Sequence, residues 1–278
     1  MSYRTILVNA QPSPRAQQIV ACASGIAVAE QAHLVGLAST GISELTYQCN
    51  AAAAGMPLLP QDMSGLTEAA RAALAGFSTA AARRGVSSCE ERITDDNMTD
   101  SLVLQSRYCD LVVVGQADAG QAVMGGVVLP QQLILHSPRP VLVIPGAGEF
   151  AHIGRRPLLA WDGGMAASRA IEAALPLLRR ATLTTLAVFN PTRVYAAHGP
   201  LPGADLARYL ARHGVQVEVV ARETTGDIGE ALLALAADTE ADLLVMGCYG
   251  HTRFRELLLG GATRSVLNDM TLPVLMAR

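Results

Sequence analysis

The chain has 278 residues, of which 50% are hydrophobic, 16% are charged and 4% are aromatic, and its formal net charge is −3. This length accommodates two domains of ordinary size, whose cores must be built mainly from aliphatic side chains. All 21 basic residues are arginine, which excludes a P-loop lysine or a Schiff-base lysine, and the absence of a basic stripe with aromatic residues argues against nucleic acid as a partner.

The same succession of apolar segments and amphipathic helices occurs twice along the chain. The first copy predicts strands at 6–8, 34–39, 86–93, 110–115 and 140–145. The second copy predicts strands at 158–160, 183–188, 215–222, 242–247 and 273–278. Alternating short apolar strands and helices indicate, in each copy, a parallel sheet that is covered by helices on both faces.

The segment 146–156 contains three glycines and no periodicity, and it is interpreted as a linker. The predicted domains are therefore 1–145 and 157–278. The last strand of each copy, PVLVIP and PVLMAR, would alone form an exposed apolar edge. We expect these two strands to pair with each other about a pseudo-twofold axis.

The second copy contains a cluster of glycines after its fourth strand. That strand ends at Met246 and Gly247, and Gly250, Gly260 and Gly261 follow. Ligands of open parallel sheets bind beyond the carboxyl ends of the strands, where the strand order reverses. Glycines let backbone N–H groups approach a ligand, and a helix that opens near Gly261 adds unpaired donors. The sequence therefore predicts a phosphate site here.

The spacing G-x2-G-x9-G, after a strand that ends in D-L-x-V-x-G, resembles the nucleotide loop of the universal stress protein family. The match covers MGCYGHTRFRELLLGGATRSVL and the closing PVLM, and a weaker match extends over the first copy. The chain thus resembles a tandem member, which implies two doubly wound α/β domains of the adenine-nucleotide α-hydrolase-like type. Nucleotide-binding members place Ser or Thr after the third glycine, where this chain has Gly261. Backbone donation is retained there, but a hydroxyl is missing.

The resemblance implies further site residues in the second copy. Asp162 matches an aspartate that lies near the adenosine in nucleotide-bound family members. A role of Asp162 as an N-cap or turn residue stays open. Val188 matches the residue whose backbone binds adenine, and Thr263 is a candidate to replace the missing hydroxyl. The other candidates near the phosphates are His251, Arg253 and Ala262.

The first copy lacks the same features. Ala10 stands at the position matched to Asp162, Gly120 is out of register, and Val127-Val128-Leu129-Pro130 replaces the later pair of glycines. Branched side chains would crowd a phosphate. We predict that the first domain binds no nucleotide and packs against the second as a built-in dimer partner.

The function implied by the resemblance is a stress protein that binds ATP, accompanied by Mg²⁺, or a related adenine nucleotide in its second domain for sensing or regulation. No general base is identifiable, so we expect no enzyme activity beyond slow ATP turnover. One alternative is a nucleotide-free, dimeric interaction scaffold in which Gly261 marks a lost site. Another is an adenylyl-transferring ligase, which would need insertions that the sequence lacks. Homodimerisation and unidentified protein partners also follow from the resemblance.

Localisation is predicted from the absence of targeting signals in the sequence. No apolar run reaches the ~18 residues of a membrane span, so we expect no membrane partner. The opening segment TILVNA is strand-like and is preceded by no cationic region, which predicts a cytoplasmic protein. Five scattered cysteines without a CxxC pair argue against a disulfide framework and a zinc site.

Overall fold

Strands and helices alternate along both halves of the chain, which confirms the predicted α/β class. The computed structural model describes residues 2–13, 15–43, 60–117, 129–194, 201–248 and 261–278. The chain divides into two units, Tyr3–Arg139 and Pro140–Arg278.

The unit Tyr3–Arg139 contains parallel strands in the order β3-β2-β1-β4. These strands are β1 (Thr5–Asn9), β2 (His33–Ser39), β3 (Cys89–Thr94) and β4 (Leu111–Gly115). The helices are α1 (Ala16–Glu30), α2 (Pro60–Arg83), α3 (Met98–Gln105) and α4 (Pro130–His136). Helix α1 packs against α2, and α3 packs against α4.

The unit Pro140–Arg278 contains the order β5-β10-β9-β6-β7-β8, in which β5 alone runs antiparallel to its neighbour β10. Its strands are β5 (Val141–Ile144), β6 (Pro157–Ala160), β7 (Thr184–Phe189), β8 (Val217–Arg222), β9 (Leu243–Gly247) and β10 (Val274–Ala277). Its helices are α5 (Met165–Leu178), α6 (Ala204–Arg212), α7 (Ile228–Asp238) and α8 (Gly261–Asp269). Helix α5 packs against β9 and β10, and α7 packs against α8.

The last strands of the two sequence copies pair with each other, as predicted. Strand β5 runs antiparallel to β10, with Val143 opposite Val274 and Val141 opposite Met276. Because of this ladder, β5 belongs to the second spatial unit although its sequence belongs to the first copy. The apolar edge of β10 is thereby covered.

Consecutive residues of the central strands are fully buried, including residues 111–114 of β4 and 243–245 of β9. Such strands must be covered on both faces, as in a doubly wound sheet. Strand β1 lies between β2 and β4, and β6 lies between β7 and β9. The strand order therefore reverses beside β1 and beside β6, which is where ligands of such sheets bind.

The aspartate that precedes each fourth strand holds the chain at the start of the first strand. The carboxylate of Asp242 accepts three backbone N–H groups from residues 154–156, at 3.1, 2.8 and 2.9 Å. In the first unit, Oδ2 of Asp110 accepts the N–H groups of Arg4 and Thr5 at 2.7 and 2.9 Å. The aspartate of the D-L-x-V-x-G motif is thus a structural residue in both copies.

We expect Asp242→Ala to lower the free energy of unfolding by about 2 kcal/mol, because charge-assisted hydrogen bonds are lost and N–H groups are left without an acceptor. Asp110→Ala, with two bonds instead of three, is the matched comparison and should cost less. Urea unfolding of both variants measures the difference. Wild-type stability in Asp242→Ala would show that the carboxylate does not hold this segment.

Candidate functional site

The turn after β6 carries Asp162. The Trp161 N–H donates to the carbonyl of Ala187 at 2.9 Å, which is the last bond between this segment and β7. Asp162 is exposed, and its Oδ1 accepts the N–H of Gly164 at 2.8 Å, just before α5. Asp162 therefore forms a turn at the start of the helix, and its carboxylate stays open to solvent.

Val188 directs its backbone groups towards β8. Backbone groups of successive residues in a strand point alternately to its two neighbours. The N–H groups of Thr184 and Asn190 donate to the carbonyls of Gln216 and Arg222, each at 2.9 Å. By this alternation the N–H and C=O of Val188 lie in the ladder with β8, and its side chain is fully buried.

Phe189, one residue later, directs its N–H and C=O to the other side, towards β6. The ladder between β6 and β7 ends where Ala160 lies opposite Ala187. The backbone donor and acceptor of Phe189 therefore point at the space beyond the end of β6. Trp161 and Asp162 follow β6 directly in the chain.

In the first unit, β1 ends beside β2 in the same way as β6 ends beside β7. The N–H of Ala10 donates to the carbonyl of Leu37 at 2.9 Å, as the N–H after β6 donates to β7. By this register the counterpart of Asp162 is Gln11, so the match to Ala10 drawn from the sequence is wrong by one residue. The counterpart of Phe189 is likewise Ser39.

The Gln11 side chain closes this position in the first unit. Its Nε2 donates to the Ser39 carbonyl at 3.1 Å, and its Oε1 accepts the Ser39 N–H at 2.9 Å. Both residues are buried, with exposures of 7% and 3%. Among the described residues, no side chain makes the corresponding pair of bonds with the backbone of Phe189.

Gly247 has a packing role at the end of β9. A Cβ at this position would lie 2.2 Å from the backbone nitrogen of Ala167 and 2.5 Å from the carbonyl carbon of Ala166. Only glycine lets β9 approach the first turn of α5 so closely. The preceding Met246 is buried and lies opposite Met276 in the ladder with β10.

Helix α8 begins at Gly261, which is exposed, while Ala262 is half-buried. The first N–H groups of a helix have no acceptor within it. Thr263 is only 4% exposed, so its side chain faces the interior rather than the open end of the helix. The remaining predicted loop residues lie outside the described residues: Gly250, His251, Arg253 and Gly260.

Asp227 lies beside the start of α8. It is the N-cap of α7, where its Oδ1 accepts the N–H of Glu230 at 3.0 Å. A Cβ at Gly261 would lie 3.2 Å from its Oδ2. Sequence reasoning missed this residue, because the D-x-x-E pattern indicates only the start of a helix and says nothing about Gly261.

Cys248, next to the predicted loop, is buried. Burial raises the pKa of its thiol well above the ordinary value, so the reactive thiolate is disfavoured. Within the described ranges, no group of three or more His, Cys, Asp and Glu residues is arranged to hold a metal ion. The helices in that same part of the chain also lack the combination of length and apolarity that crossing a membrane requires.

Residues 155–278 match the family model described as universal stress protein family. Universal stress protein Slr1230 of Synechocystis is 28% identical over 173 residues, covering 61% of this chain and 58% of that protein. Universal stress protein MJ0577 of Methanocaldococcus jannaschii is 35% identical over 49 residues, covering 18% of this chain and 30% of that protein. The chain thus spans less than two thirds of the length of either relative.

The whole chain resembles solved structures. A universal stress protein from Archaeoglobus fulgidus has a TM-score of 0.73 at 15% identity, covering 100% of this chain and 97% of that one. A putative universal stress protein from Pseudomonas aeruginosa has a TM-score of 0.58 at 19% identity, covering 99% and 93%. These similarities confirm the α/β fold, with coverage that is consistent with the tandem arrangement.

The packing role of Gly247 predicts that Gly247→Ala lowers the free energy of unfolding by about 2 kcal/mol or more, because the added methyl group meets backbone atoms that cannot move aside. Gly115, at the same place in the first unit, is the control. There a Cβ would meet only the Ile19 side chain, with Cδ1 at 2.8 Å, which a rotamer change can move away. Equal losses in urea unfolding of the two alanine variants would contradict this assignment.

Proposed function

We propose that this chain, whose residues 155–278 match the model of the universal stress protein family, binds an adenine nucleotide in its second unit for sensing or regulation. The observation that carries the proposal is the backbone N–H and C=O of Phe189, which point beyond the end of β6. ATP with Mg²⁺ is the ligand that the resemblance implies. No catalytic step is part of the proposal.

Adenine suits this pair of backbone groups. Its N1 accepts a hydrogen bond and its 6-amino group donates one, so the two complement an N–H and a C=O of the same residue. Guanine presents a donor and an acceptor in the opposite arrangement. Hydrogen bonds to this base edge are a common means of recognition.

In the first unit, a protein side chain makes the same kind of hydrogen bonds that we propose for adenine. The carboxamide of Gln11 presents one acceptor and one donor side by side, as adenine does. It makes with Ser39 the two bonds that we propose adenine makes with Phe189. A protein side chain thus satisfies the first pair of backbone groups, and no side chain among the described residues does so for the second pair, which we assign to the ligand.

The neighbouring groups suit the rest of a nucleotide. Asp162 is exposed beside the end of β6, and its Oδ2 can accept a hydrogen bond from a ribose hydroxyl. The exposed start of α8 offers N–H groups to phosphate, and Gly261 places no side chain in their way. The proposed contacts therefore come from three segments: the ends of β6 and β7 and the start of α8.

The first unit differs at its helix start as well as at Gln11. Helix α4 begins with Pro130, which has no N–H, and the N–H of Leu129 donates to Oγ1 of Thr99 at 3.4 Å. These differences support the proposal that only the second unit binds nucleotide, with one site per chain.

Titration of nucleotide-stripped protein tests the proposal. Calorimetry with adenosine, and with ATP and Mg²⁺, should saturate near one site per chain, whereas guanosine should give no signal. The chain has a single tryptophan, Trp161, so a change in its fluorescence would place the ligand at the end of β6. Two sites per chain would refute the prediction that the first unit binds no nucleotide. Absence of binding would favour the nucleotide-free scaffold.

Gly261→Val should weaken binding of nucleotide phosphates by about tenfold or more, because the branched side chain blocks at least one charge-assisted hydrogen bond from the start of α8. The fold should tolerate the change, since the described atom that a Cβ would approach is Asp227 Oδ2, at 3.2 Å, and this side-chain end has to move by only a few tenths of an ångström. Adenosine, which has no phosphate, is the control ligand and should keep its affinity. Unchanged ATP affinity in this variant would reject the phosphate position.

A further inference from the structure

We infer that Asp227 limits the negative charge that the second unit accepts, so that the site favours adenosine and its monophosphate over ATP. This inference rests on the proposed function, because it concerns the same base and phosphate positions. Its basis is the placement of a carboxylate beside the first residue of the helix that would bind phosphate.

The Asp227 side chain has two different surroundings. Its Oδ1 caps α7 by accepting the N–H of Glu230 at 3.0 Å. Its Oδ2 faces Gly261, where a Cβ would come within 3.2 Å of it. The cap fixes the orientation of the carboxylate, and the side chain is half-buried, so its charge acts on the start of α8 through less solvent than an exposed group would.

Gly229 explains why the two helix starts lie so close together. A Cβ at Gly229 would lie 2.7 Å from the carbonyl oxygen of Ala262 and 2.9 Å from the Cβ of Ser265. Any other residue would push the first turn of α7 away from α8. The glycine therefore lets the Asp227 carboxylate lie beside Gly261, the first described residue of α8.

The electrostatic consequence depends on the number of phosphates. A helix start stabilises a nearby negative charge, and the Asp227 carboxylate already supplies one there. A phosphate on the same N–H groups must approach this carboxylate, and each further phosphate adds repulsion. Adenosine carries no charge, so its binding through the end of β7 is independent of Asp227.

The glycine at 261 acts in the same direction. It supplies no hydroxyl to a phosphate, and a Ser or Thr there would bring its Cβ to 3.2 Å from Oδ2, a tight contact. The Asp227 carboxylate and the missing hydroxyl at position 261 thus have the same effect on phosphate binding. Both lower the affinity for phosphate without altering the position proposed for the base.

The test compares Asp227→Asn with the wild-type protein. Asparagine is as good an N-cap as aspartate, so the variant keeps the cap and removes only the charge. The matched control is Asp238→Asn at the other end of α7, where the carboxylate accepts from Arg222 Nη1 at 3.3 Å. Calorimetry with adenosine, AMP, ADP and ATP is carried out in metal-free buffer at constant ionic strength, so that the nucleotides keep their full charge.

We expect wild-type affinity to fall from AMP through ADP to ATP. Asp227→Asn should raise ATP affinity by about tenfold or more and leave adenosine affinity unchanged, whereas Asp238→Asn should change neither. If the wild-type protein binds adenosine but ATP affinity is the same in Asp227→Asn, the inference is overturned and the proposed function stands. If neither protein binds adenosine or AMP, the proposed function fails, and the inference fails with it.

Discussion

The candidate site depends on one constraint: the first strand of each copy ends before the second. Where β1 or β6 stops, the last residue of the neighbouring strand still directs an N–H and a C=O towards it. Such groups need partners when they leave the ladder, because unpaired buried polar groups are costly. Gln11 satisfies them in the first unit, whereas no side chain in the described part of the second unit takes this role. Each copy thus presents an N–H and a C=O of its second strand beyond the end of its first strand, and in the first unit the Gln11 side chain occupies that position.

Gly247 and Gly261, at the two ends of the predicted nucleotide loop, show why sequence alone cannot assign roles to glycines. Gly247 is required because the backbone of α5 occupies the space where its Cβ would be. Gly261 is surrounded by far fewer described atoms, and the nearest belongs to the carboxylate of Asp227. The absence of a side chain serves packing in the first case, and in the second it leaves Gly261 exposed beside the Asp227 carboxylate. The sequence records only that each residue lacks a Cβ, and the surroundings of the missing side chain are seen only in the structure.

Much of the fold could be predicted from local signals, since apolar runs and turn residues mark each strand without knowledge of its neighbours. Features that depend on pairing could not. Whether Val188 or Phe189 faces the strand ending depends on the register with β8, and a shift of one residue reverses the direction of the backbone groups. The match of Gln11 to Asp162 depends on register in the same way. The approach of Asp227 to Gly261 needs the packing of α7 on α8, which no local pattern contains.

Comparison of the two copies separates residues that build the scaffold from those that set its chemistry. Asp110 and Asp242 make equivalent bonds at the start of the first strand, so their shared motif is explained by the fold alone. Two of the described differences between the copies lie at the strand ending and at the helix start, where Gln11 stands against Asp162 and Pro130 against Gly261. Each difference in the first copy removes a group that a nucleotide could use. Because the described strand order around the first strand is common to both copies, we attribute the difference in binding that we propose between the two units to such substitutions rather than to the fold.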